Sequence, residues 1–99
     1  MPRRRDKIEM FHEILRVCLK PTRMTTIIRR GNFQYLVFKD MVSTLEENNL
    51  VEKTVVPHKR KRHKPYCLWQ TTSEGIKFMK NVEDVMDKIG INWKAPTYE

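Results

Sequence analysis

The sequence predicts a single α+β domain in which helices come first, a two-stranded hairpin follows, and a last helix closes the chain. Apolar residues recur at gaps of three and four through the first half, the spacing of one helix face. Near residue 50 the pattern changes to β-branched residues in partial alternation, and it returns to helical spacing after residue 72. A chain of 99 residues buries only about 60–65% of its unfolded surface, so one domain with a thin stability margin is expected.

The first helix is predicted over residues 6–19, with Ile8, Phe11, Ile14, Leu15 and Cys18 on one stripe and Glu9, Glu13 and Arg16 on the other face. Pro21 disfavours helical backbone at Lys20 and ends it. Thr25 opens a short second helix, its hydroxyl placed to cap free N–H groups. Ile27 and Ile28 are its buried side. Gly31 and Asn32 stop it, because both tolerate positive φ. A third helix runs over about 34–48, with Phe38, Met41, Val42 and Leu45 as its core stripe and Phe33 and Tyr35 at its entry. Asn49 suits a left-handed cap. Two helices joined by a tight Gly-containing turn read as a helix-turn-helix.

Residues 50–56 form a strand that Pro57 ends, and 66–69 form a second. Between them, 58–64 are all basic or histidine. Thr72 caps the last helix, predicted over 73–89, with Glu74 in its first turn where the helix dipole favours an acid. Gly90 closes it. The expected architecture is a winged helix-turn-helix over 1–90, with three helices, a two-stranded wing and a C-terminal dimerisation helix. Residues 91–99, carrying Trp93 and Pro96, form an irregular tail.

Apolar residues make up 39% and charged residues 32% of the chain, which suits a folded domain with a dense charged surface. No apolar run approaches the ~20 residues of a membrane span, and the basic start lacks the apolar core of a secretory signal. Cys18 and Cys67 lack zinc-ligand spacing, and a reduced, cytoplasmic chain is the plain reading. The net charge is +8. Arg3, Arg4 and Arg5 supply three of those charges, and Lys59, Arg60, Lys61, Arg62 and Lys64 supply the other five. Such patches favour a polyanion, and a solvated loop is the plainer alternative.

In helix-turn-helix proteins the second of the two helices enters the major groove. The base-contact candidates here are Asn32, Gln34, Tyr35, Val37 and Lys39. Gln and Asn side chains can pair bidentately with adenine, and Val37 or Leu36 can meet a thymine methyl. Asn32 also reads as a turn residue, Gln34 as a cap and Tyr35 as core, while Leu36 and Val37 suit a protein interface. The phosphate-contact candidates are Arg29, Arg30, Lys59, Arg60, Lys61, Arg62, His63 and Lys64, since Arg forks match phosphate oxygens. Arg29 and Arg30 also suit capping of helix carbonyls. His58 and His63 with Cys67 make a poor metal set, because no fourth ligand is evident; pH-dependent charge near phosphate suits the histidines better. Cys18 reads as an inert core thiol.

The last helix carries a surplus of apolar residues. Ile76, Met79, Val82, Met86 and Ile89 form a stripe with Phe78 and Val85 beside it. Part packs on the first helix. Val82, Val85, Met86 and Ile89 then need a second copy to cover them, or else the Trp93 tail. No catalytic set, phosphate loop, metal cluster or cofactor motif is present in the sequence, so no enzyme is expected.

Thr25, Thr26, Ile27, Ile28, Arg29, Arg30, Gly31, Asn32, Phe33, Gln34 and Tyr35 resemble the helix-turn-helix core of archaeal winged-helix proteins. That group includes the small coiled-coil-dimer chromatin proteins of Sulfolobales. Asn49, Leu50 and Val51 resemble the family's step into the first wing strand. Leu68, Thr72, Glu74, Gly75 and Phe78 resemble its entry to the last helix. The resemblance covers roughly residues 6–85. This chain departs from it with apolar Leu36 and Val37 where charged or polar residues are usual, with Gln34 in place of Ser, and with Asn49 in place of Gly. The resemblance and the charge together imply a dimeric transcriptional regulator that binds double-stranded DNA and is associated with the nucleoid. An architectural chromatin protein, a protein-interaction winged helix and an RNA-binding protein are the competing readings.

Overall fold

The computed structural model describes residues 7–60 and 62–88. The elements run α1 (Lys7–Val17), β1 (Thr22–Arg23), α2 (Met24–Gly31), α3 (Tyr35–Glu47), β2 (Val51–Val56), β3 (Tyr66–Thr71) and α4 (Ser73–Lys88). The sheet order is β1-β3-β2, antiparallel throughout. The expectation of three helices, a two-stranded wing and a C-terminal helix is therefore corrected in its sheet: the described residues hold four helices, α4 being the C-terminal one, and a three-stranded sheet. The added strand is only two residues long, too short to show alternation. It exists because Thr22 and Arg23 pair with Trp69 and Leu68 across the fold. Its turn is held locally, with the Thr22 hydroxyl within reach of the Lys20 carbonyl at 2.7 Å and the Val17 carbonyl at 3.2 Å.

The helix ends are set by backbone chemistry more than by side-chain caps. α2 starts one residue before Thr25, on an extended Arg23 that makes no side-chain capping bond. At its end Asn32 takes the left-handed conformation at φ 52°, and the Phe33 N–H donates to the Ile28 carbonyl at 3.0 Å. Gly31 stays helical and buried. It is needed because a Cβ there would overlap the Phe33 ring. α3 ends alike, with Asn49 at φ 59° and the Leu50 N–H donating to the Leu45 carbonyl at 2.9 Å. Asn49 is the left-handed residue that the sequence predicted.

α4 begins at a side-chain cap. The Thr72 Oγ1 accepts the Gly75 N–H at 3.1 Å and donates to the Asn49 carbonyl at 2.6 Å. Its backbone N–H donates to the Leu50 carbonyl at 3.0 Å. Gly75 lets the helix approach β2, since a Cβ there would meet the Leu50 carbonyl. Thr72→Ala should cost about 1–2 kcal/mol, measured as a lower urea midpoint with an unchanged m-value.

The core joins Ile14, Leu15 and Cys18 of the α1 segment to Ile27, Phe38, Leu45, Val51 and Trp69. Trp69 meets Phe38 edge to face at 5.6 Å and donates its indole N–H to Glu46 Oε1 at 2.7 Å. The predicted α1 stripe holds at Ile14, Leu15 and Cys18, with Phe11 partly buried against the core; Ile8 is exposed instead, and His12 and Val17 join the buried side. His12 reaches Glu83 of α4 at 3.3 Å, which ties the first helix to the last. Burial pushes the Cys18 thiol up to about 12, so it stays protonated and inert at neutral pH.

Candidate nucleic-acid interface

α3 buries Phe38, Met41, Val42 and Leu45, which turns its opposite face to solvent. Gln34 occupies the N-cap position, and its carbonyl accepts the Phe38 N–H at 2.9 Å. Its side chain makes no capping bond and is exposed. Tyr35, Leu36, Lys39 and Asp40 continue the exposed face, and the Lys39 ammonium lies 5.4 Å from the Tyr35 ring centroid. Leu36 is 76% exposed, a large value for a leucine. Val37 is half-buried against the core. Asn32 is exposed, and its backbone makes the turn. Asp40 places a carboxylate on this face, a group that repels phosphate and can accept from a cytosine amino group.

Arg29 and Arg30 fill the exposed last turn of α2, where the helix dipole favours cations. The wing tip spans residues 57–65, of which Lys61 lies outside the described set. Lys59, Arg60, Arg62, His63 and Lys64 are exposed. None has a carboxylate partner among the described residues. The tip is folded rather than featureless. The His63 N–H donates to the Arg60 carbonyl at 3.1 Å, and the Arg60 N–H donates to His58 Nδ1 at 3.1 Å. The His58 and His63 rings lie 4.6 Å apart, and His58 meets Tyr66 edge-on at 6.1 Å. The Arg23 guanidinium covers Tyr66 at 3.8 Å. These contacts run from the β1 edge to the wing tip through four side chains. Sequence reasoning missed Arg23 because only the long-range β1–β3 pairing brings it there.

The surplus apolar face of α4 forms a shallow groove of about 180 Å³ lined by Ile8, Phe78, Asn81, Val82, Val85 and Met86. Val85 is 53% and Ile8 45% exposed. Ile89, named with them from the sequence, lies outside the described residues. Ile8 belongs to this face, although its spacing placed it on the α1 core stripe. No group of three or more potential metal ligands is gathered among the described residues. No described helix is long and apolar enough to cross a membrane.

The fold is similar to that of several solved structures. A PadR-like transcription factor from Bacteroides fragilis matches with a TM-score of 0.74 at 16% identity, covering 85% of each chain. The PcaV transcriptional regulator from Streptomyces coelicolor, solved with its natural ligand, matches at 0.64 and 16% identity over 81% of this chain; the chain spans 55% of that one. The circadian clock associated protein Pex from Anabaena matches at 0.64 and 15% identity, over 84% of this chain and 78% of that one. None of the three is described as an enzyme. No curated protein matches the sequence significantly. The family model described as winged helix-turn-helix matches residues 4–90, nearly the whole chain and all of the elements above, and the chain belongs to the winged helix-turn-helix family.

Proposed function

We propose that the protein is a small transcriptional regulator that binds double-stranded DNA as a homodimer. In this reading α3 lies in the major groove, and the wing tip rests on the phosphate backbone. The observation that carries it is the wing tip itself. Exposed cations with no carboxylate partner among the described residues repel one another unless an anion is near, and phosphate contacts position a protein without reading its sequence. Gln34, Tyr35 and Lys39 are the exposed side chains offered to bases. Asn32 contributes from the turn, and the half-buried Val37 is the weakest of the set. Arg29 and Arg30 reach backbone phosphate from α2. The groove at Val82, Val85 and Met86, with Ile89 beyond it, is the dimer face. A location on the nucleoid belongs to this same reading.

The test is selection from random duplex pools. Enrichment of one motif supports a regulator, and uniform recovery supports an architectural protein. Gln34→Ala should relax preference at one base position at a cost of about 1–3 kcal/mol. An equal loss on every sequence would make Gln34 a positioning residue. The 76% exposure of Leu36 favours a second reading, in which α3 docks on a protein. Loss of a protein partner with Leu36→Ser, together with no duplex binding by the unaltered chain, would select it.

A further inference from the structure

A second basic feature lies away from the wing tip. A cleft of about 730 Å³ opens between the end of α1, β1 and α2. Arg16, Lys20, Arg23 and Arg30 line it, and Leu19 and Leu68 form an apolar wall. No acidic residue lines the cleft among the described residues. We propose that this cleft is a binding site for a small organic polyphosphate, of the chemical class of a nucleoside diphosphate.

The volume is that of a small-ligand site. Lys20, Arg23 and Arg30 alone put three positive charges around one cavity, which match a ligand with more than one negative charge. A monoanion would leave most of their mutual repulsion in place. Planar guanidinium groups fit phosphate oxygens two at a time, and three of the four cations are arginines. Two features hold the site's geometry before any ligand arrives. Arg23 is fixed by its place on the Tyr66 ring and by its backbone at the start of α2. The Thr22 hydroxyl secures the turn between Lys20 and Arg23. Leu19 in the wall is half-exposed, and an organic body can cover it.

The inference does not rest on DNA binding. It is tested on the full chain by calorimetric titration with pyrophosphate and with ADP at physiological salt. Saturable binding of one ligand per chain is expected, with ADP at least as tight as pyrophosphate. Lys20→Ala combined with Arg30→Ala should weaken both by about tenfold or more, with folding verified by an unchanged circular dichroism spectrum. Arg60→Ala combined with Arg62→Ala, at the wing, should leave both affinities unchanged. Non-saturable heats, or equal losses in the wing and cleft variants, would reduce the site to diffuse attraction and overturn it. ADP weaker than pyrophosphate would overturn the organic body. Lys20→Ala lowering duplex affinity without affecting pyrophosphate would make the cleft a DNA-backbone contact, which also overturns the proposal.

Discussion

Replacing Lys59, Arg60, Lys61, Arg62 and Lys64 together with alanine is expected to weaken duplex binding on every sequence and to flatten its dependence on salt. Each phosphate neutralised by a bound cation releases counterion, and log K falls with log salt at about 0.9 per contact. Three contacts per protomer give a dimer about six, and a slope near −5. The unaltered protein should then lose about a thousandfold in affinity between 50 and 200 mM salt. The variant should keep only the shallower dependence that Arg29 and Arg30 contribute. Lys59, Arg60, Arg62 and Lys64 have no carboxylate partner among the described residues, so removing them breaks no ion pair there, and stability should hold. Fluorescence anisotropy on one specific and one scrambled duplex makes the measurement. An unchanged slope would remove the wing from the interface.

The second large effect concerns oligomeric state. Val82→Lys with Met86→Lys should yield a monomer that binds DNA far more weakly. Val82 and Met86 line an apolar groove with Ile8, Phe78 and Val85, and Val85 remains 53% exposed. Full burial of such a side chain contributes about 1.5–3 kcal/mol, a large share of the margin available to a chain this short. A second copy of α4 covers the face twice, and two lysines per chain would place four charges against one another there. Equilibrium sedimentation of the unaltered chain at tens of micromolar is decisive, and a monomer would end the two-fold reading. A folded monomeric variant that keeps full duplex affinity would separate dimerisation from DNA binding.

Much of this fold was legible because its signals are local. The 3-4 spacing of Phe38, Met41, Val42 and Leu45 marks the buried side of α3. Thr72 before Glu74 marks the start of α4, and Asn49 supplies the left-handed residue expected of it. The misses are long-range. Two residues at 22–23 become a strand only when β3 lies beside them, and no periodicity of their own announces it. Ile8 has core spacing on α1, yet it faces the α4 groove, while His12 takes a buried place opposite Glu83. Thr25 is a good capping residue by type, but α2 starts before it because the sheet pairing fixes Arg23 in extended backbone. In the candidate site, the cation run at the wing was visible as composition. The contacts that link Arg23, Tyr66, His58 and His63, and the cleft at Lys20 and Arg30, depend on chain segments that only folding brings together.

The joint at Thr72 also has a mechanical meaning. One residue bonds to the carbonyls of Asn49 and Leu50 on one side and to the first turn of α4 on the other. The end of α3 and the start of α4 are thus clamped with no slack between them. α4 is 16 residues long, a rod of about 24 Å at 1.5 Å per residue. In a dimer paired through α4, this rod and its clamp act as a ruler between the two α3 helices. The phase of the DNA half-sites then follows from helix length and pitch. One residue inserted between Thr72 and Val82 would turn the pairing face by about 100° relative to α3, and the two reading heads would fall out of step with the duplex.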